Sequence, residues 1–136
     1  MSAGLDEVLT KVWGLPPGRS LVDLAPAWPS PAQLALVVTV KRRAIALGLR
    51  LPPIVWRFCT AHRAPGWAIG ETDPRDRSRA VIYMRTDITL EQWERALYHE
   101  CKHASDLGLM WSRRYTVLEF ESRAISFADY AMATRG

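Results

Sequence analysis

Three stretches of the chain repeat apolar residues at helical spacing, and three shorter ones read as strands. Between Pro31 and about Leu47, Leu34, Val37, Val38, Val40, Ala44, Ile45 and Leu47 surround most of a helix that Ser30 caps, Pro31 opens and Gly48 ends. Such broad apolarity predicts a largely buried backing helix. Further on, Leu90, Trp93, Leu97, Cys101 and Ala104 fall within an arc of about 80° at about 100° per residue. Glu91, Arg95, Tyr98, Lys102 and Ser105 take the opposite, solvent side. Thr89 with Gln92 three residues on makes an approximate capping box, and no proline or glycine follows until Gly108, so a helix is expected to run to Leu107. A last helix is expected over Val117 to Thr134.

The strand candidates are Ile54 to Cys59, Trp67 to Glu71 and Ala80 to Arg85, the last two joined by the turn-rich run from Thr72 to Ser78. Ahead of them, Leu5 to Trp13 reads as a short helix and Gly14 to Pro31 as a proline-rich connection. Residues 1–29 therefore form an expected N-terminal arm, a packing strap or a segment covering a cleft, on a single core domain of residues 30–136.

The middle helix carries chemistry. His99-Glu100-Cys101-Lys102-His103 is a His-Glu-x-x-His pattern. On a helix the two imidazoles stand about 40° apart and one turn along, so both can reach one ion, while Glu100 lies about 100° round from His99. From there Glu100 can serve a water on the metal as general base without being a ligand. The competing reading is a surface helix that happens to bear two histidines.

A third ligand is sought on the last helix, which offers Glu119 and Glu121. Val117, Leu118, Phe120, Ala124, Ile125, Phe127, Ala128, Ala131 and Met132 fall in the half-circle centred near Glu121, and Glu119 lies about 160° away among Arg123, Ser126 and Tyr130. A carboxylate amid apolar residues is costly unless paired or metal-bound, so Glu121 is the expected ligand or else the partner of a buried arginine. Two imidazoles and a carboxylate suit Zn²⁺ best among common ions.

These residues resemble the gluzincin zinc metallopeptidases: His99-Glu100-x-x-His103, then Glu121 eighteen positions on, within Glu121-Ser122-Arg123-Ala124 and followed by Phe127-Ala128. The short chain looks most like the minimal gluzincins or the small phage-type metallopeptidases, and the resemblance spans about Arg79 to Met132. It implies an α+β, zincin-like domain: a small twisted sheet between a backing helix and the motif helix, followed by the Glu-bearing helix. It also implies zinc on His99, His103 and Glu121, Glu100 as general base, and a peptide or protein substrate. In that family the strand before the motif helix commonly forms the cleft's upper rim, which here is Val81 to Met84. Lys102 and Ile125 depart from the pattern. Ile125 stands where the family often has an Asp supporting a ligand, a part that Asp106 is expected to take as orienter of a histidine. Tyr115 and His62 are candidates for stabilising an oxyanion, with aromatic packing and simple solvation as the rival readings; His62 is also a candidate metal ligand.

With 49% hydrophobic residues and six tryptophans, the 136 residues suffice for a modest core without staples. Two cysteines, Cys59 and Cys101, are too few for a secreted disulfide framework, and no run is long and apolar enough to span a membrane, so a cytosolic protein is expected. The net charge of +4 and pI near 9.4 come with Arg63, Arg75, Arg77, Arg79 and Arg85. A zincin fold retained as an inactive binding or regulatory module, touching nucleic acid through those arginines, is the alternative to an enzyme.

Overall fold

A computed structural model describes residues 21–63, 67–73, 75–76, 78–112 and 115–135. The helix expected over Leu5 to Trp13 lies outside the described residues. After a single 3₁₀ turn, Leu21–Asp23, the elements are β1 (Ala25–Pro26), α1 (Pro31–Ala46), β2 (Ile54–Thr60), β3 (Gly70–Asp73), β4 (Ala80–Arg85), α2 (Leu90–Ser112) and α3 (Val117–Thr134). The architecture is α+β, with a mixed four-stranded sheet in the order β1-β2-β4-β3. β2 and β4 run parallel, and the outer pairs β1/β2 and β3/β4 are antiparallel. β1 falls within the expected arm, so strand pairing begins before residue 30.

Local chemistry sets the helix ends. Ser30 Oγ accepts the Gln33 amide at 3.1 Å while the Ser30 amide donates to Gln33 Oε1 at 2.8 Å, a reciprocal cap. At the other end Gly48 takes φ 104°, and the amides of Gly48 and Leu49 return to the carbonyls of Ile45 and Ala44. That is the six-to-one and five-to-two closure that favours glycine. Gln33 Nε2 also donates to the Thr86 carbonyl at 2.9 Å, tying the start of α1 to the end of β4.

Alternation along the strands fixes the core. Ile54, Trp56 and Phe58 of β2 and Ala80, Ile82 and Met84 of β4 join one hydrophobic cluster with Val37, Val40 and Ala44 of α1, Trp93, Leu97, Cys101 and Ala104 of α2, and Ala128 and Ala131 of α3. The helices therefore share one face of the sheet, which does not lie between α1 and α2 as expected. α1 is also less buried than its composition predicts. Leu34, Val38 and Ile45 remain about half exposed because α1 packs along one side only, with Gln33, Val37, Val40 and Ala44 inward.

α2 is the central helix, in contact with β3, β4, α1 and α3. Because it has helices on either side, its buried face is wider than one apolar stripe. Tyr98, expected in solvent, is buried with its ring edge-on to Phe127 at 6.2 Å and its hydroxyl 3.4 Å from Arg43 Nη1. The Trp93 indole N–H donates to the Arg85 carbonyl, and the Asp87 carboxylate accepts from the Arg85 guanidinium and from the amide of Arg63 at 2.7 Å. These bonds set the angle at which α2 leaves β4.

Three expectations about boundaries are corrected. β3 spans Gly70–Asp73, not Trp67 to Glu71, because its register is set non-locally by pairing Gly70 with Met84 and Asp73 with Val81. β4 is an interior strand, since the β3 hairpin covers its open side; the strand at that edge of the sheet is β3. α2 continues through Gly108 to Ser112, because Gly108 does not take the left-handed conformation that would end it.

Gly108 is exposed, and a Cβ added there meets nothing within 4 Å. Gly108→Ala should therefore stabilise the fold by about 0.5–1 kcal/mol, read as a higher urea midpoint at unchanged slope. A lower midpoint would show that the helix ends at Gly108 after all.

Candidate metal centre

The helical turn between His99 and His103 brings their Nε2 atoms within 3.1 Å of each other. α3 delivers Glu121 across the gap: Oε1 lies 2.9 Å from His103 Nε2 and Oε2 3.3 Å from His99 Nε2. Among the described residues these three form the one group of potential ligands gathered closely enough to share an ion. Four-coordinate zinc with bonds of about 2.0–2.1 Å places neighbouring donors roughly 3.3 Å apart, so the three separations suit such an ion, drawn slightly together.

Burial grades across the group. His103 is fully buried, whereas the His99 and Glu121 side chains keep about a quarter of their surface, at 23% and 26%. Leu118 and Ile125, on either side of Glu121 along α3, are exposed at 81% and 51%, contrary to the expectation that this face is buried. α3 packs on α2 through Phe120, Ala124, Ala128 and Ala131, and that contact leaves the Glu121 flank open. A cleft of about 300 Å³ lies against the group, with His99, Glu100 and Glu121 in its wall. Ala68, Ile69 and Gly70 line it from the β3 side, and Gln92, Arg95 and Ala96 from α2.

Glu100 is buried, and β3 holds it. The Thr72 hydroxyl is 2.9 Å from Glu100 Oε1 and donates to it, with the Glu100 carbonyl also near at 3.3 Å. Gly70 leaves the space that the side chain fills, for a Cβ there would come within 2.9 Å of Glu100 Cγ and of Met84 Sδ. Sequence reasoning missed both residues. Gly70 stands inside the expected strand Trp67 to Glu71, and a lone glycine within a strand pattern is a signal of close approach that could have found it; nothing local marks Thr72.

The other candidates sort clearly. Glu119 is exposed and completes a cap with Thr116, accepting its amide at 3.0 Å. Asp106 is buried, but its carboxylate is engaged by Arg123, at 2.9 and 3.1 Å, and by Lys102 at 3.4 Å. Lys102 is thus largely covered, not solvated as expected. Tyr115 packs edge-on to Phe120 at 5.7 Å, with the Arg123 guanidinium 5.0 Å above its ring, and it is outside the cleft wall. His62 is exposed after β2 at φ 52°, with its amide on Thr60 Oγ1, and does not join the group. Arg113 and Arg114 lie outside the described residues. Cys59 and Cys101 are buried and unbridged; burial first, then neighbouring carboxylates, push the Cys101 thiol up to about 12 and that of Cys59 to about 11, so neither supplies a thiolate.

No protein-family model matches the chain, and no curated protein matches it significantly.

The charges explain why the three groups coexist. Burial works against the Glu121 carboxylate, but hydrogen bonds from His103 and His99 outweigh it and hold its pKa near 2. Burial likewise opposes charge on His99, and the Glu121 hydrogen bond with the Glu100 and Glu121 carboxylates overrides it, raising the imidazole above 6.5. In the metal-free chain the Glu121 contribution to stability is present above its ordinary 4.5 and lost as pH falls through about 2. That of His99 is complete below 6.5 and lost as pH rises through its raised value. A proton shared among these groups eases the same crowding that a divalent cation could. Zinc affinity, measured by chelator competition, should begin to fall with pH above the ordinary imidazole range and fall steeply below it. An affinity flat between pH 8 and 5.5 would remove the imidazoles from the ligand set.

Proposed function

We propose that this chain is a zinc-dependent peptidase of the gluzincin type, with a zincin-like arrangement of its α+β fold and a cytoplasmic setting. The observation that carries the reading is the convergence of His99 Nε2, His103 Nε2 and the Glu121 carboxylate, at 2.9–3.3 Å, beside an open cleft whose wall includes Glu100. Three protein donors with an open side are the form of a catalytic zinc site, whereas a structural one would be closed by a fourth ligand.

Bound zinc would supply Lewis acidity, making a water more acidic and polarising a peptide carbonyl. Glu100 takes the proton from the attacking water and passes it to the leaving amide nitrogen. Thr72 holds one oxygen of that carboxylate and leaves the other for the proton transfer. The substrate backbone extends along β3, the strand at the cleft side of the sheet, by adding its own hydrogen bonds to the edge. Ala68, Ile69 and Ala96 give the cleft an apolar lining for a side chain near the scissile bond.

The inactive nucleic-acid module draws on the arginines, and their surroundings weaken it. Arg75, Arg79 and Arg85 pair with Asp73, Asp76 and Asp87, so these charges are largely neutralised within the chain.

Glu100→Gln should keep about one zinc per chain and lower the cleavage of dye-labelled unfolded casein by roughly 10²–10⁴-fold. Undiminished turnover would remove Glu100 from the chemistry. A zinc-loaded wild-type chain that cleaves no casein, yet binds RNA or DNA with steep salt dependence, would favour the binding module.

A further inference from the structure

We infer that Arg123, gripping Asp106, is a positioning residue that sets the rotation of α3 and so presents Glu121 to the two imidazoles; the inference rests on the metal-site reading above. Past Phe120, the residues that α3 turns toward α2 beside the ligand-bearing turn are Ala124 and then Ala128 and Ala131; the aromatic knob, Phe127 against Tyr98, lies nearly two turns beyond Glu121. A row of alanines permits close approach but offers few knobs to fix one rotation. The distance of Glu121 from the histidines is sensitive to that rotation. With side-chain ends roughly 6 Å from the helix axis, a turn of about 20° moves them by about 2 Å, enough to carry a ligand out of reach.

The Arg123–Asp106 contact supplies the missing constraint. Asp106 lies one turn after His103 on α2, and Arg123 two residues after Glu121 on α3, so the bond joins the two ligand-bearing turns. It is bidentate, Nε to Oδ2 at 2.9 Å and Nη2 to Oδ1 at 3.1 Å, and the carboxylate is 4% exposed. A fork of this kind specifies angle as well as distance. Arg123 projects about 160° round α3 from Glu121, so each side of the helix is held and neither can roll. The Tyr115 ring beneath the guanidinium, itself seated on Phe120, fixes the arginine from the other side. Among the described residues, Arg95 also pairs with Asp129 between the bodies of these helices, more than half exposed at both ends, and Arg135, beyond the last turn of α3, pairs with Glu94; the first is a weak constraint by comparison and the second lies far along α3 from Glu121.

The test is zinc affinity and melting temperature of the full chain. Arg123→Met should weaken zinc binding about tenfold to a hundredfold, the range for partners that orient metal ligands. Because that variant strands a buried carboxylate, the double variant Asp106→Leu/Arg123→Met, which replaces both charges with apolar groups, should show the same weakening in a stably folded chain. Neither change should weaken zinc further once Glu121 is already Ala, whereas a general loss of stability would act equally in both backgrounds. Asp129→Ala should leave the affinity unchanged. Unaltered affinity in the double variant, or an equal loss with and without Glu121, would overturn the positioning role. A wild-type chain that binds no zinc would overturn the metal centre itself and this inference with it.

Discussion

Two imidazole nitrogens and a carboxylate within 3.3 Å of one another need something positive between them. Lone pairs that close repel, and one of these groups, His103, is fully buried. A shared proton relieves the repulsion in part, which is why Glu121 is held near 2 and His99 is raised. A divalent cation accepting from all three relieves it fully. Much of the surrounding structure makes sense as the means of holding these three groups against their own repulsion.

The frame for that is α2. Its entry is set by the Trp93 bond to the Arg85 carbonyl and by the Asp87 carboxylate, its flanks by α1 and α3, and its sheet side by Thr72 and the space above Gly70. The turn from His99 to His103 therefore rides on the most enclosed of the described helices. Glu121 comes from a helix attached on one side only, and its flank is open. The proposed activity needs both conditions: fixed imidazoles and an approach for substrate past Glu121.

What the sequence revealed was local. Helix caps at Ser30 and Thr89 follow from local sequence, and the two histidines one turn apart and the preference for Glu121 over Glu119 follow from angular position on a single helix; in the structure Glu121 lies beside the histidines and Glu119 does not. What it hid depended on neighbours. Tyr98 looks solvent-facing because nothing in its own helix shows that α1 and α3 close over it. Leu118 and Ile125 look like core residues until α3 is seen to pack on one side only. The apolar run from Trp67 attracts a strand, while the observed strand buries Glu71, Thr72 and Asp73. Asp106 stands close to His103 along the chain, but its partner, Arg123, sits on another helix seventeen residues away.

The most direct test of the metal centre is a crystal of the zinc-loaded chain measured on both sides of the zinc absorption edge. One anomalous peak about 2.0–2.2 Å from His99 Nε2, His103 Nε2 and a Glu121 oxygen, with a remaining position facing the cleft, is the expected result. A peak elsewhere, a fourth protein ligand closing the site, or no peak at all would contradict the account.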